Sequence, residues 1–233
     1  MENNFNMKPI AYIKCDVMTK FGAPRQSGLA PSLCGRIILE NEFKDKNYLK
    51  GIEGFSHLWL IWGFSEVDAS HISPTVRPPV LGGNERVGVF ATRSPFRPNP
   101  IGLTCVKIEN IDWDSKDGPS ILVSGIDMMN DTPIYDIKPY IPYADIVPNA
   151  KGGFTDTHTF KTLNVIFDSS VESELRKTLT DLQIKALLEI LSNNIKPSYQ
   201  NDASRIYGIN YAGLDIHFRL QNEEVVVTDF DIL

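Results

Sequence analysis

The stretch Arg93-Ser94-Pro95-Phe96-Arg97-Pro98-Asn99-Pro100-Ile101-Gly102 gathers two guanidinium groups, a carboxamide and three prolines, with no acid among them. Proline lacks an N–H and fixes φ, so three prolines within six positions rule out helix and central strand. What remains is a stiff loop, which loses little entropy on binding. Arg93 and Arg97 are planar donors matched to carboxylate or phosphate, and Asn99 both donates and accepts. Rigid loops between strands are where binding groups collect, so this one reads as part of a ligand site. A connector with solvated arginines is the plainer alternative. Between Arg77 and Lys107 five cations (Arg77, Arg86, Arg93, Arg97 and Lys107) face Glu85 alone. The formal net charge is −6, yet such a strip can still hold a polyanion, because affinity follows the local field.

A second group lies in Asp127–Tyr140, where Asp127, Asp131 and Asp136 follow a strand end. Such carboxylates can accept from ribose hydroxyls, hold an ammonium group or act as a base. An acidic turn built on Asp131-Thr132-Pro133 is the bland alternative. Pro24-Arg25-Gln26-Ser27-Gly28-Leu29 forms a polar loop after the first strand. In Phe55–Trp62 the aromatics read as core, and His57 as a structural hydrogen-bonding group.

Other chemistries lack their residues. Cys15, Cys34 and Cys105 are far apart and odd in number, which gives neither a disulfide framework nor a thiolate zinc site. The four histidines have no i, i+4 partner, so no metal is expected. There is no glycine-rich dinucleotide fingerprint, no P-loop and no nucleophile elbow. With no apolar run of membrane-spanning length and a polar start, the chain is expected to be soluble and cytoplasmic, without a membrane partner.

The elements that must position these groups are mostly strands. Pro9–Ile13, Leu33–Leu39, Phe55–Phe64, Arg86–Ala91, Leu103–Ile111 and Ile121–Met128 are short apolar or alternating runs separated by turn residues. Many short strands without intervening helices suggest a closed barrel or sandwich. Glu42–Leu49 is compatible with one short helix. Pro148–Thr159 reads as a linker, followed by a strand at Val165–Phe167. Ser169–Asn194 has helical periodicity through Leu175, Leu179, Leu182, Ala186 and Ile190, with capping-box pairs at Ser169/Glu172 and Thr180/Gln183. One long helix and two helices meeting near Thr180 both fit. Ile206–Tyr211, Leu214–Leu220 and Val225–Phe230 close the chain, the last two as a hairpin. The fold class is therefore mainly β: an N-terminal barrel or sandwich over residues 1–150, then a small α+β domain over residues 151–233.

Taken together, the strings PRQSGL, GIEGFSHLW, PTVRPPVLGGNERVGVFATRSPFRPNPIGL, GIDMMNDTPIYDIKPYIPYAD and KPSYQNDASRIYGINYAGLDIHF closely resemble the TrmO (YaeB or TsaA-like) family. The resemblance covers nearly the whole chain from Pro9. It implies an S-adenosylmethionine-dependent methyltransferase acting on N6-threonylcarbamoyladenosine beside the tRNA anticodon. It further implies a non-Rossmann barrel that holds the cofactor, a C-terminal domain that helps engage tRNA, and a homodimer. Cofactor contacts map by this resemblance to Gln26, Ser27, Gly28, Arg93, Leu103, Ser124, Gly125, Ile126 and Asp127. A further contact falls at Ser65 and Glu66, where relatives carry a histidine; serine cannot stack as an imidazole does. Tyr199, Asp202, Arg205 and Tyr207 match a family run that can reach the nucleoside or anticodon loop, or else packs the small domain on the barrel.

Methyl transfer from a sulfonium is an in-line displacement, so the enzyme mainly aligns the reacting atoms. A carbamoylated exocyclic nitrogen is a poor nucleophile until it loses its proton, which calls for a base within hydrogen-bond reach. Asp127, Asp131 and Asp136 are the candidates. The threonyl carboxylate needs a cation, for which Arg86 and Arg97 are candidates, with Asn99 beside them on the substrate side. A non-catalytic RNA- or nucleotide-binding barrel is the rival reading.

Overall fold

The computed structural model describes residues 6–67, 71–158, 162–193 and 205–233. Along the chain lie β1 (Ala11–Cys15), β2 (Cys34–Leu39), β3 (His57–Gly63), a short ribbon of β4 (Thr75–Val76) and β5 (Val87–Gly88), then β6 (Ile101–Asp112), β7 (Ser120–Ser124) and β8 (Pro133–Pro139). The one-turn helix α1 (Pro142–Asp145) follows. Then come β9 (Asn164–Phe167), α2 (Ser169–Thr178), α3 (Asp181–Ser192), β10 (Ile206–Tyr211), β11 (Leu214–Gln221) and β12 (Glu224–Ile232).

Six strands close into an antiparallel barrel in the order β1-β2-β7-β6-β3-β8. Closure follows from the alternation. Inward positions Ala11, Ile13, Ile37, Leu39, Leu58, Leu60, Val106, Ile121, Val123 and Ile134 are all buried, and the intervening residues face outward. A closed ring leaves no edge strand to pair with another chain. Because neighbours run antiparallel, the long connections 16–33 (β1 to β2), 64–100 (β3 to β6) and 125–132 (β7 to β8) all emerge at one end of the barrel.

The second unit is a four-stranded sheet, order β10-β11-β12-β9, with β9 parallel to β12 and α2 and α3 in the crossover between β9 and the other strands. Ile184, Leu187, Ile190 and Leu191 give α3 a buried face. Both hairpin turns of this sheet carry two consecutive positive φ values, at Ala212-Gly213 and Asn222-Glu223, the geometry that matches strand twist.

Several elements differ from the sequence reading. Arg86–Ala91 is not a continuous strand: β5 has two residues and then tightens into a 3-10 turn at Val89–Ala91. The strand expected over Ile121–Met128 stops at Ser124, because Gly125 takes φ 75°. Glu42–Leu49 forms short 3-10 turns instead of a helix. β8 was not foreseen as a strand. Thr180 makes its capping box with Gln183, which splits the helical region in two. The Ser169/Glu172 box does not form, since the first helix is preceded by Asp168 at its N-cap. The break resets the helical phase, so Leu182 is exposed and Leu187 takes the buried position instead. No helix among the described residues is long and apolar enough to cross a membrane.

Candidate functional site

The loops at the common end of the barrel converge on Asp127. Beyond the left-handed Gly125, the chain leaves the sheet and turns Ile126 into the core, where it is fully buried. Asp127 then stands over the barrel mouth. Thr104, an inward position of β6 where hydrophobic residues are the rule, donates its hydroxyl to Asp127 Oδ1 at 2.6 Å. Thr104 in turn accepts from Trp62 Nε1 at 2.8 Å. The indole of Trp62 packs against Gly102, where a Cβ would clash with Cε2, Cζ2 and Cδ2 of the ring. A fixed chain of donors therefore runs from the β3 aromatic through β6 to the carboxylate.

Two other loops reach the same group. The Ser27 backbone hydrogen-bonds to Asp127, and the Arg93 guanidinium acts on it electrostatically. Burial nevertheless dominates and pushes the Asp127 carboxyl above the usual carboxylate range; Thr104, Arg93 and Ser27 pull the other way. Arg93 also donates to Gln26 Oε1 at 2.7 Å, tying the proline loop to the first loop. Lys20 lies over the Phe96 ring, with its Nζ 5.8 Å from the centroid, and adds a second tie.

Gly28 and Gly125 form a stretch of bare backbone beside these groups. Gly28 N–H donates to Gly125 O at 3.1 Å, while Gly125 N–H donates to Leu33 O at 3.0 Å. Both glycines have positive φ, and a side chain at Gly28 would meet only open space. Ser124, at the end of β7, is buried and donates to Glu109 at 2.6 Å. Leu103 points outward from β6 and is 54% exposed, paired with Ile61 of β3. Ser65 and Glu66 form an exposed turn just past β3, at the same end. Bare backbone, an aligned carboxylate, a guanidinium and an exposed leucine suit a nucleoside that carries both an ammonium and a carboxylate.

Arg97 sits deeper in the proline loop, donating one N–H to Thr92 O at 3.2 Å. It lines a small open hollow with Val67, His71, Ile72, Phe96 and the neighbouring prolines. Asn99 is exposed beyond it. Arg86 is engaged elsewhere: its Nε donates to the Thr75 hydroxyl at 2.7 Å and its Nη2 to Thr75 O at 2.8 Å, closing the β4–β5 ribbon. The two remaining acids have other partners. Asp131, at φ 62°, pairs with Lys14; Asp136, on β8, pairs with Lys138 at 2.7 Å.

In the second unit, Tyr199 and Asp202 lie outside the described residues. Tyr207 is 6% exposed. Its ring packs between Phe21 of the first loop and Phe218, and the Arg205 guanidinium lies over it. Its position is the packing alternative of the sequence reading, with Arg205 on the exposed side. All three thiols are shifted upward, by burial first, Cys15 up to about 12. They are therefore protonated at neutral pH and unsuited to nucleophilic chemistry.

The sequence reading missed Thr104 and Trp62. Part of their signal was available: a hydroxyl at an inward position of an otherwise apolar strand needs a buried partner.

Residues 12–146 match the model of the tRNA-methyltransferase O N-terminal domain, and residues 161–232 that of the TrmO C-terminal domain. A tRNA (adenine(37)-N6)-methyltransferase of Escherichia coli strain K12 is 33% identical over 223 residues, covering 94% of each chain. A putative S-adenosylmethionine-dependent methyltransferase, RcsF, of Pseudomonas aeruginosa is 34% identical over 229 residues, covering 95% of each. A crystal structure of TrmO superposes with a TM-score of 0.78 at 30% identity, over 97% of this chain and 99% of that one.

Proposed function

The chain belongs to the tRNA-methyltransferase O family, and from that premise we propose that it methylates N6 of N6-threonylcarbamoyladenosine beside the tRNA anticodon. S-adenosylmethionine is the methyl donor, and the enzyme is a tRNA (adenine-N6)-methyltransferase. The observation that carries the reading is the convergence of three loops on one partly buried, donor-aligned carboxylate.

The cofactor supplies an electrophilic methyl group on a sulfonium. Gln26, Ser27, Gly28 and Asp127 line the bare-backbone side of the site, where its polar atoms find partners, with Ser124, Gly125 and Ile126 packed behind them. Arg93 suits its carboxylate, and Leu103 offers apolar surface for its base, with the turn at Ser65 and Glu66 closing the far side. Asp127 is the base in this reading. It alone among the three candidate acids is held inside the site, and a carboxyl raised by burial is a better proton acceptor at neutral pH than an exposed one. Removal of the N6 proton returns the lone pair to nitrogen. The fixed walls then align nitrogen, methyl and sulfur.

Arg97 and the hollow beside it suit the threonyl group: the guanidinium takes the carboxylate, and Phe96 and Ile72 face the methyl. Arg97→Ala is accordingly expected to raise KM for modified tRNA at least about tenfold, with the S-adenosylmethionine Kd changed less than about twofold. Titration calorimetry and steady-state assays read the two; equal losses would remove this role.

Residues 1–150 are the catalytic unit and 151–233 the tRNA-engaging unit, with Arg205 exposed on the latter. The protein acts in the cytoplasm as a homodimer. The outer face of β3 and β6, where Trp59, Ile61, Leu103 and Cys105 stand side by side in register, supports a second copy nearby.

The deciding experiment incubates the protein with labelled S-adenosylmethionine and tRNA from cells with or without the threonylcarbamoyl modification. Label enters only modified tRNA if the reading is right. Cofactor binding without transfer to either tRNA would favour the non-catalytic barrel.

A further inference from the structure

The first loop is gripped from two sides. On the barrel side, Gly125 brackets residues 28–33: its O accepts from Gly28 N–H and its N–H donates to Leu33 O. On the other side stands α3 of the second unit. Glu189 takes the Ser32 N–H at 2.7 Å with one carboxylate oxygen and the Ser32 hydroxyl at 2.8 Å with the other. One turn further on, Asn193 donates through Nδ2 to Leu29 O at 2.8 Å and to Glu189 O at 2.6 Å. Ser32 is buried, so these bonds form out of bulk water.

The same helix is anchored independently of that grip. Gln183 donates to Asp16 Oδ2 at 3.0 Å, and Tyr211 of β10 donates to Gln183 O at 3.1 Å. Backbone bonds Met18 N–H to Asn210 O and Ala212 N–H to Asp16 O tie the start of the same loop to the second sheet. The loop is thus fixed at its root by β10 and along its return by α3. Only the arc around Gln26 and Gly28 projects toward Asp127.

We propose that Glu189 and Asn193 are positioning residues for S-adenosylmethionine binding, acting through Ser32 and Leu29 to hold the Gln26–Gly28 arc against Gly125. The inference rests on the cofactor site proposed above. Its physical basis is preorganisation: a loop already held in its bound shape does not lose that freedom when the ligand arrives. The second unit therefore serves the chemistry from the rear, apart from any contact it makes with RNA.

Glu189→Ala removes both bonds to Ser32. Glu189→Gln keeps them, since its amide oxygen accepts from the Ser32 N–H and its NH2 donates to the hydroxyl. We expect Glu189→Ala and Asn193→Ala to weaken S-adenosylmethionine binding about tenfold by calorimetry, with kcat at saturating cofactor within about twofold. Glu189→Gln should restore the affinity. Arg93→Ala, measured in parallel, reads the cofactor site itself. Weakening in Arg93→Ala with wild-type affinity in Glu189→Ala and Asn193→Ala would overturn the bracing role and leave the site standing. Wild-type affinity in all three would overturn both. If Glu189→Ala alone melts early, Asn193→Ala decides; an equal fall in affinity and kcat, unrepaired by Glu189→Gln, also overturns the proposal.

Discussion

Asp127→Asn is expected to lower turnover of modified tRNA about 10²- to 10⁴-fold, the range that a positioned general base supplies. Asparagine matches aspartate in shape, so the loops should still close, but it cannot take a proton. The protonation state can be tested separately. Turnover requires the ionised carboxylate, so the rate rises with pH through the Asp127 pKa, which burial sets above the ordinary carboxylate range. The Thr104 hydroxyl stabilises the ionised form. Thr104→Val therefore raises that pKa further and moves the ascending limb to higher pH, while Thr104→Ser, which keeps the hydroxyl, leaves it in place. Asp131→Asn and Asp136→Asn should retain most activity, since each acid is paired with a lysine and not with the donors that align Asp127. A limb that moves down in Thr104→Val, or near-full turnover in Asp127→Asn, would remove Asp127 from the role of base.

The second large effect is on the fold. Gly102→Ala places a Cβ where the Trp62 indole lies. The clash is with a ring held by Thr104 at Nε1, next to the clashing atoms, and packed against Phe64 with centroids 4.4 Å apart, so it cannot swing clear as a flexible side chain would. Overpacking of this kind costs roughly 3 kcal/mol, which lowers Tm by roughly 6–12 °C for a chain of this size. Displacing Trp62 also withdraws the donor that orients Thr104, so activity should fall even at temperatures where the variant is folded. Gly88→Ala is the matched control, because a Cβ there meets nothing. A Gly102→Ala protein that melts with the parent would mean that the indole does not rest there.

The parts of this fold that were legible in the sequence are those in which one physical rule acts alone. Alternation in Leu33–Leu39 and the heavy aromatic run at Phe55–Phe64 mark barrel strands, because inward positions must be apolar. Thr180 with Gln183 marks a helix start for an equally local reason. β8 was hidden because it opens and closes on proline and carries Asp136 and Lys138, which look like turn residues. In the structure Pro133 sits at the first strand position, where proline is tolerated. The end of β7 was hidden because Gly125 turns left-handed only to meet Gly28 and Leu33, distant in sequence. The site divides in the same way. Arg93 and the proline loop stand out by composition, whereas the proposed choice of Asp127 over its two neighbours rests on which acids pair with a lysine. That pairing appears only in the assembled barrel. Glu189 had no local signal at all, since an acid on a half-exposed helix face is ordinary until Ser32 arrives beneath it.

The barrel is not equally fastened all round. β1 and β8 are matched within their strands only at Ala11↔Ile134 and Tyr12↔Pro133, where Pro133 has no N–H to give; their further backbone bonds, Ile10 N–H to Ile134 O, Ile13 N–H to Thr132 O and Asp131 N–H to Ile13 O, reach past the strand ends. Every other neighbouring pair shares at least five matched positions. The β1–β8 contact also joins strands from opposite ends of the barrel sequence, so its loop-closure entropy is the largest in the ring. The hairpin-like ladders can zip first, and the ring shuts last along this line. The last seam to form is also the first place where amide exchange should detect the barrel opening. It separates the strands that feed the Gln26 loop and receive the Asp127 loop, so a sheet open there would part the two banks of the site before any other element had unfolded.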